Sequence, residues 1–213
     1  RSGGWLLRAS EGFTGRANSV LPLRDPGLPL VAALESVQSW YGHRGLPARF
    51  QVPLPDHAEL DRALAELDWL TRDRTQVLTA PIETVLADRP ARGDLPELVV
   101  DDAPNPDWLA LYHYRGGPLP PVAVRQLMQA ERAVFASLRS DGEPVAVARG
   151  ALVAGWIGIT AVEVAATARR RGLGGHIVRE LCGWAATAGP EPAHSAYLQV
   201  QQDNTAALAL YQR

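Results

Sequence analysis

The stretch Val162 to Gly175, VEVAATARRRGLGG, joins an apolar strand to a helix through a basic, glycine-rich turn. Its chemistry suits a pyrophosphate. The first N–H groups of a helix lack intrahelical partners and carry partial positive charge. Gly172, Gly174 and Gly175 let the backbone approach phosphate oxygens with no side chain in the way. Arg169, Arg170 and Arg171 add charge at the same turn. The plain structural reading is that Arg-Gly turns also serve merely as helix starts. Glu163 is the one charged residue of an apolar run and, by strand alternation, points opposite to Val162 and Val164. It is read as a proton acceptor, as the partner of an Arg in an ion pair, or as an edge residue facing solvent. Asn204 stands where a helix N-cap belongs, and Tyr211 lies seven residues later at helical spacing from Leu208.

Composition removes the competing phosphate chemistries. All 21 basic residues among the 213 are Arg, because the sequence contains no Lys. A Walker A loop, a kinase strand lysine and a pyridoxal-phosphate Schiff base each require one. The dinucleotide pattern GxGxxG fails as well, since Ile177 holds the position of its third glycine. The lone Cys182 forms no intramolecular disulfide and no thiolate zinc cluster, so a reducing, cytoplasmic setting is expected. It reads as a small core residue rather than a nucleophile. The five His show no metal-ligand spacing, and no metal is expected. With 23 acidic residues the net charge is −2, and the Arg are dispersed except at 169–171, which argues against nucleic acid as a partner. No apolar run approaches the roughly 18 residues of a membrane span, and no signal peptide is visible at the amino end. The missing initiator Met suggests a trimmed start or an unseen preceding segment.

The elements that must position these residues follow from periodicity. Trp5 to Ala9 and Asn18 to Leu23 read as a hairpin, Leu30 to Tyr41 as an amphipathic helix, Ala48 to Val52 as a strand, and His57 to Leu70 as a helix capped by Asp56. Thr75 to Ile82 reads as a strand. Residues 87–96, with Pro90, Gly93 and Pro96, read as a linker between a first half, 1–86, and a second, 97–213. The second half begins with a strand, Glu97 to Val100, and helices over Asp107–Arg115 and Val122–Ala130, whose Trp108, Tyr112 and Tyr114 read as core packing or part of an acceptor pocket. Strands follow at Ala133–Leu138, Pro144–Leu152 and Trp156–Ala165, the first two joined by an Asp141-Gly142 hairpin turn. A helix to Ala188, a strand over Ala196–Val200 and a helix from Asn204 complete the series. The fold class is α/β, two halves each with a mixed twisted sheet flanked by helices.

The halves also resemble each other. Phe50-Gln51-Val52, then Asp56, Ala58 and Leu60, align without gaps on Leu198-Gln199-Val200, Asn204, Ala206 and Leu208 at a separation of 148 residues. A duplication is the reading preferred over convergence of amphipathic helices.

On these residues the chain resembles the GNAT N-acetyltransferase superfamily. Its pyrophosphate loop, Arg/Gln-x-x-Gly-x-Gly/Ala after a strand, reads here Arg169-Arg170-Arg171-Gly172-Leu173-Gly174. Its second motif, Asn-x-x-Ala-hydrophobic-x-x-Tyr, reads Asn204-Thr205-Ala206-Ala207-Leu208 followed by Tyr211. With the internal repeat, the chain looks like a tandem-GNAT protein of the actinobacterial kind whose first half is degenerate. The resemblance implies acetyl-CoA as co-substrate and a small-molecule or peptide amine as acceptor; the oligomeric state, monomer or dimer, stays open. It implies that backbone N–H on Val162 to Val164 binds the thioester carbonyl and that Arg170 to Gly175 hold the pyrophosphate. It further implies that Asn204 contacts pantetheine or its neighbouring loop, that Tyr211 protonates the departing thiolate, and that Glu163 takes the amine proton directly or through water. In ribosomal-alanine acetyltransferases a later-strand Glu is the base; Gln199 holds that place here and cannot do that work. A Gly-Phe turn and two closing strands are expected after Tyr211 and are absent, which leaves the acceptor wall partly unseen. The first half's loop, Arg24-Asp25-Pro26-Gly27-Leu28-Pro29, has two prolines without N–H and an acidic residue, and Ala63 stands where Tyr211 would, so no CoA binding is expected there. The rivals are a non-catalytic acyl-CoA-binding or interaction module, and an unrelated nucleotide enzyme preferring NAD or ATP.

Overall fold

The computed structural model describes residues 3–113, 117 and 119–212 and resolves two compact units that meet between Arg72 and Asp73. Of the expected helix over Asp107–Arg115, the last residues, Tyr114 among them, lie outside the described ones.

In the first unit β1 (Trp5–Leu7) pairs antiparallel with β2 (Val20–Pro22), a shorter hairpin than expected. The reason is Asn18, which is buried and organises the loop. Its Oδ1 accepts from the N–H of Ser10 at 2.7 Å and of Gly12 at 3.0 Å, and its Nδ2 donates to Phe13 O at 2.7 Å. Helix α1 (Leu30–Gly42) lays Ala33, Leu34, Val37 and Tyr41 on the core with Trp5, Val20 and Leu64. The expected strand Ala48–Val52 reduces to one parallel bridge, Phe50 to Val20. Helix α2 (Ala58–Glu66) begins after His57 with no side-chain cap, so Asp56 does not cap it.

The second unit is one six-stranded sheet in the order β3-β8-β7-β6-β5-β4. Its strands are β3 (Thr75–Pro81), β4 (Leu98–Asp101), β5 (Ala133–Ser140), β6 (Glu143–Val153), β7 (Trp156–Val164) and β8 (Ser195–Gln201). Every neighbouring pair is antiparallel except β7 and β8, which α6 (Leu173–Ala185) joins by a crossover, as a parallel pair requires. Ile157, Ile159, Ala146, Ala148 and Leu138 of the sheet pack with α6 and with α3 (Ile82–Asp88) on one face. Trp108 of α4 (Pro106–Leu111) packs with Phe135 and Val147 on the other, joined there by Leu127 of α5 (Pro121–Leu127). Helix α7 (Thr205–Tyr211) closes the chain.

Two boundary expectations change. Residues 87–96 do not separate the halves; they join α3 to β4 inside the second unit. The cause is β3, which pairs along its full length with β8, from Thr75↔Gln201 to Pro81↔Ser195, and so belongs to the second sheet. A Pro- and Gly-rich segment marks a loop but cannot say what it connects. The same pairing bears on the expected missing wall: the edge beside β8 is taken by a strand from upstream. Helix α3 was not expected, although Ile82, Val85 and Leu86 stand at helical spacing and pack on the α6 side of the core.

Both units contain strand, helix, parallel strand contact and helix in the same order: β2, α1, the Phe50 bridge and α2 in the first, and β7, α6, β8 and α7 in the second.

Candidate active site

Strands β7 and β8 pair over four residues, from Trp156↔Ser195 to Ile159↔Leu198, and then part. Beyond that point β7 runs on to Val164 and β8 to Gln201 with no pairing to each other. The divergence has a local cause. The register of β6 against β7 shifts between Val147 and Arg149, and Ala161 sits at φ +53°, a β-bulge that bends β7. Ala165 N–H donates to Val145 O of β6 at 2.9 Å. Strand alternation therefore turns the N–H of Val164, one residue earlier, toward the wedge.

Val162 and Val164 pack on the α6 side of the core, and Glu163 points to the opposite face, as alternation requires. There its carboxylate pairs with Arg169 Nη2 at 3.2 Å, while Arg169 Nε donates to Val164 O at 3.2 Å. The ion-pair reading of Glu163 is thus realised, with one of the three loop arginines as partner. Arg169 is largely exposed, so the pair is a weak, solvent-screened one and leaves the carboxylate reachable.

After β7 the chain makes one 3-10 turn, Ala166–Ala168, and then takes left-handed backbone at Arg170 (φ +64°) and at Gly172 (φ +85°), the N-cap of α6. No side chain caps α6, and its first turn holds no acidic residue. Its first helical bond runs from His176 N–H to Gly172 O, so the N–H groups of Leu173, Gly174 and Gly175 precede the ladder, with Arg169, Arg170 and Arg171 exposed beside them. These residues fit an anionic pyrophosphate. Gly174 and Gly175 also have a packing role. A Cβ on Gly174 would lie 3.1 Å from Leu210 of α7, and one on Gly175, which is buried, would collide with the guanidinium of Arg89.

Arg89, overlooked in the sequence because it sits in the stretch read as a linker, donates from Nη2 to Leu210 O. It shares a cavity of about 220 Å³ with Ile159, Leu198, Val178, Cys182 and Tyr211. The cavity reaches the Ile159–Leu198 pair where the wedge begins. Tyr211 is therefore at the cavity and not only in the packing. Burial pushes its phenol up to about 12, against a smaller opposing pull from Arg89. Asn204 is the N-cap of α7, its Oδ1 accepting from Ala207 N–H at 3.1 Å. Among the described residues no three His, Cys, Asp or Glu side chains gather to hold a metal.

Cys182 is fully buried, and desolvation pushes its thiol up to about 12. A core role follows, with two measurable consequences. The native protein should resist thiol-specific reagents at pH 8 and react fully once unfolded. Because Cys182 and Tyr211 both ionise more readily in the unfolded chain, which then binds fewer protons, folding stability should fall as pH rises from about 9 to about 12. Denaturant midpoints at pH 8, 10 and 11 measure the slope, and Cys182→Val should flatten it.

A six-stranded sheet whose one parallel pair splays beside an uncapped, glycine-faced helix start is a fold of the GNAT kind. Over residues 1–213 the chain matches the family model described as "Probable histone acetyltransferase Rv0428c C-terminal". It belongs to that family and, with it, to the GNAT N-acetyltransferase superfamily. It is 31% identical over 213 residues to the probable histone acetyltransferase Rv0428c of Mycobacterium tuberculosis, covering 97% of this chain and 62% of that protein's length. A GCN5-related N-acetyltransferase from Kribbella flavida superposes with a TM-score of 0.69 at 18% identity, over 94% of this chain and 78% of its own. A tandem GNAT protein from the clavulanic acid biosynthesis pathway superposes with a TM-score of 0.62 at 15% identity, over 91% and 71%.

Proposed function

We propose that the chain moves an acetyl group from acetyl-CoA to a primary amine by direct attack. The observation that carries this is the parting of β7 and β8 at Ile159/Leu198 beside the uncapped start of α6 and the Tyr211 cavity. When bound, acetyl-CoA supplies an activated acetyl thioester. The N–H groups of Arg170 to Gly175 hold its pyrophosphate, with Arg169 and Arg171 adding charge, and Asn204 fixes the start of α7 that carries Tyr211. The N–H of Val164, with Val162 on the same strand, binds the thioester oxygen in the wedge and stabilises the charge that grows there. Glu163, on the opposite face of β7, accepts the amine proton directly or through water. Tyr211 donates its proton to the leaving sulfur as the new N–C bond replaces the C–S bond.

The chain is proposed to act as a cytoplasmic protein on a small-molecule or peptide amine, as a monomer or dimer. Among the described residues no helix is long and apolar enough to cross a membrane. The name of the mycobacterial relative speaks of histones, which makes a protein amine one acceptor to test. The first unit is proposed to be a degenerate copy that binds no CoA. In its loop, Asp25 Oδ1 already accepts the N–H of Gly27 at 2.6 Å, and Pro26 and Pro29 have none to offer.

Thiol release from acetyl-CoA over a broad amine panel tests the reading, with NAD and ATP as competitors. Turnover with at least one amine and affinity for acetyl-CoA above either nucleotide are expected. Tight acetyl-CoA binding with no release over the panel would instead establish the non-catalytic acyl-CoA-binding module.

A further inference from the structure

Arg149 is a cation inside an apolar strand. It is only 9% exposed, and Nε donates to Leu127 O at 2.6 Å. Among the described residues no carboxylate pairs with it; the phenols of Tyr197 and Tyr112 are ionisable groups close enough to act on it. A buried guanidinium without a counter-charge is costly, because its desolvation is repaid only by a well-placed anion. The sheet register places it at the reaction centre. Arg149 stands opposite Thr160, the first residue of β7 after the last pair with β8, and Thr160 neighbours Gln199 across the opening wedge. Ile159 and Leu198 face α6, so Thr160, Gln199 and Arg149 face the other side, the side of Glu163. One further group on that face lacks a partner: Gln199 Oε1 is buried with no hydrogen bond. The Tyr197 ring lies against Gly158, where an added Cβ would stand 2.5 Å from its hydroxyl.

We propose that this row selects an acceptor that carries a carboxylate as well as its amine, a free amino acid or the carboxyl end of a short peptide. Arg149 pairs with the carboxylate, and Gln199 Oε1 accepts an amine N–H and aims the nitrogen at the wedge. The separation of β6 from β8 is two strand spacings, about 10 Å, which an amino acid or dipeptide spans. The assignment rests on the acetyltransferase reading for its amine end; the carboxylate end stands on Arg149 alone.

The test compares free amino acids and dipeptides, their carboxamides, the matching decarboxylated amines, and a lysine peptide blocked at both ends. Thiol release is read with the wild-type chain, Arg149→Met and Arg149→Lys. In parallel, N-acetylglycine and N-acetylglycinamide are titrated onto the CoA-loaded protein by NMR. The wild type should prefer carboxylates by about 100-fold in kcat/KM, chiefly through KM, the size of one charge-assisted hydrogen bond. Arg149→Met should erase that ratio while raising or preserving the thermal midpoint, since it removes an unpaired buried charge. Arg149→Lys should keep part of the ratio, which shows that charge is what matters. Equal use of carboxylates and amides by the wild type, or a preference that survives Arg149→Met, overturns the proposal. If no amine is acetylated, the acetyltransferase reading fails, and the titration still decides the carboxylate site: N-acetylglycine must bind more tightly than its amide and lose that advantage in Arg149→Met.

Discussion

Replacing Tyr211 by Phe should lower kcat for acetyl transfer by about 100- to 10,000-fold, the range of a positioned general acid, with little change in acetyl-CoA affinity. The substitution deletes one oxygen from a side chain whose ring stays in the same packing, so the fold is expected to persist. The oxygen matters because an ordinary thiol ionises near 8.5, while burial holds the Tyr211 phenol near 12. It therefore remains a proton donor throughout the pH range in which the leaving sulfur needs one. Steady-state kinetics with acetyl-CoA and equilibrium binding of CoA separate the two effects. A further readout is the pH profile, in which the wild type should show no descending limb from this group below about pH 11. Unchanged turnover in Tyr211→Phe would return the residue to a packing role and move the proton to water.

The second large effect belongs to Gly174. Gly174→Pro removes a backbone N–H from the first turn of α6 and places a ring where a Cβ alone would already lie 3.1 Å from Leu210. Acetyl-CoA affinity should fall by about 10- to 100-fold, the worth of one hydrogen bond to a charged phosphate and of the lost approach. Gly174→Ala keeps the N–H and serves as control. It should retain most of the affinity, because the atom it meets is the end of a flexible Leu side chain. Calorimetric titration with CoA and circular dichroism of both variants distinguish lost binding from lost structure. Full affinity in a folded Gly174→Pro would make the loop a structural helix start.

The chain-local features were legible. The basic turn 169–171, the glycines after it and the Asn204–Tyr211 spacing are properties of one segment each, and the helices they predict are α6 and α7 within a few residues. Glu163 is recognisable as an isolated charge in an apolar strand, and Arg149 in VAVARGALV carries the same signal. Pairings between distant segments were not legible. Thr75 to Ile82 read correctly as a strand, yet nothing in its residues says that its partner is 120 residues away rather than in its own half. Arg89 was hidden for the same reason, because only the placement of the α3–β4 connection over α6 and α7 brings it to the Tyr211 cavity.

By itself the sequence determined the basic, glycine-rich turn that opens α6, the family resemblance and the exclusion of lysine chemistry, since these depend on residue types and short spacings. Only the tertiary structure decided that β3 closes the second sheet, that β7 and β8 part at Ile159 and Leu198, and that Arg149 and Gln199 share one face of that sheet. Hydrogen-bond register and burial are relations between segments, and the free energy that fixes them exists only once those segments meet.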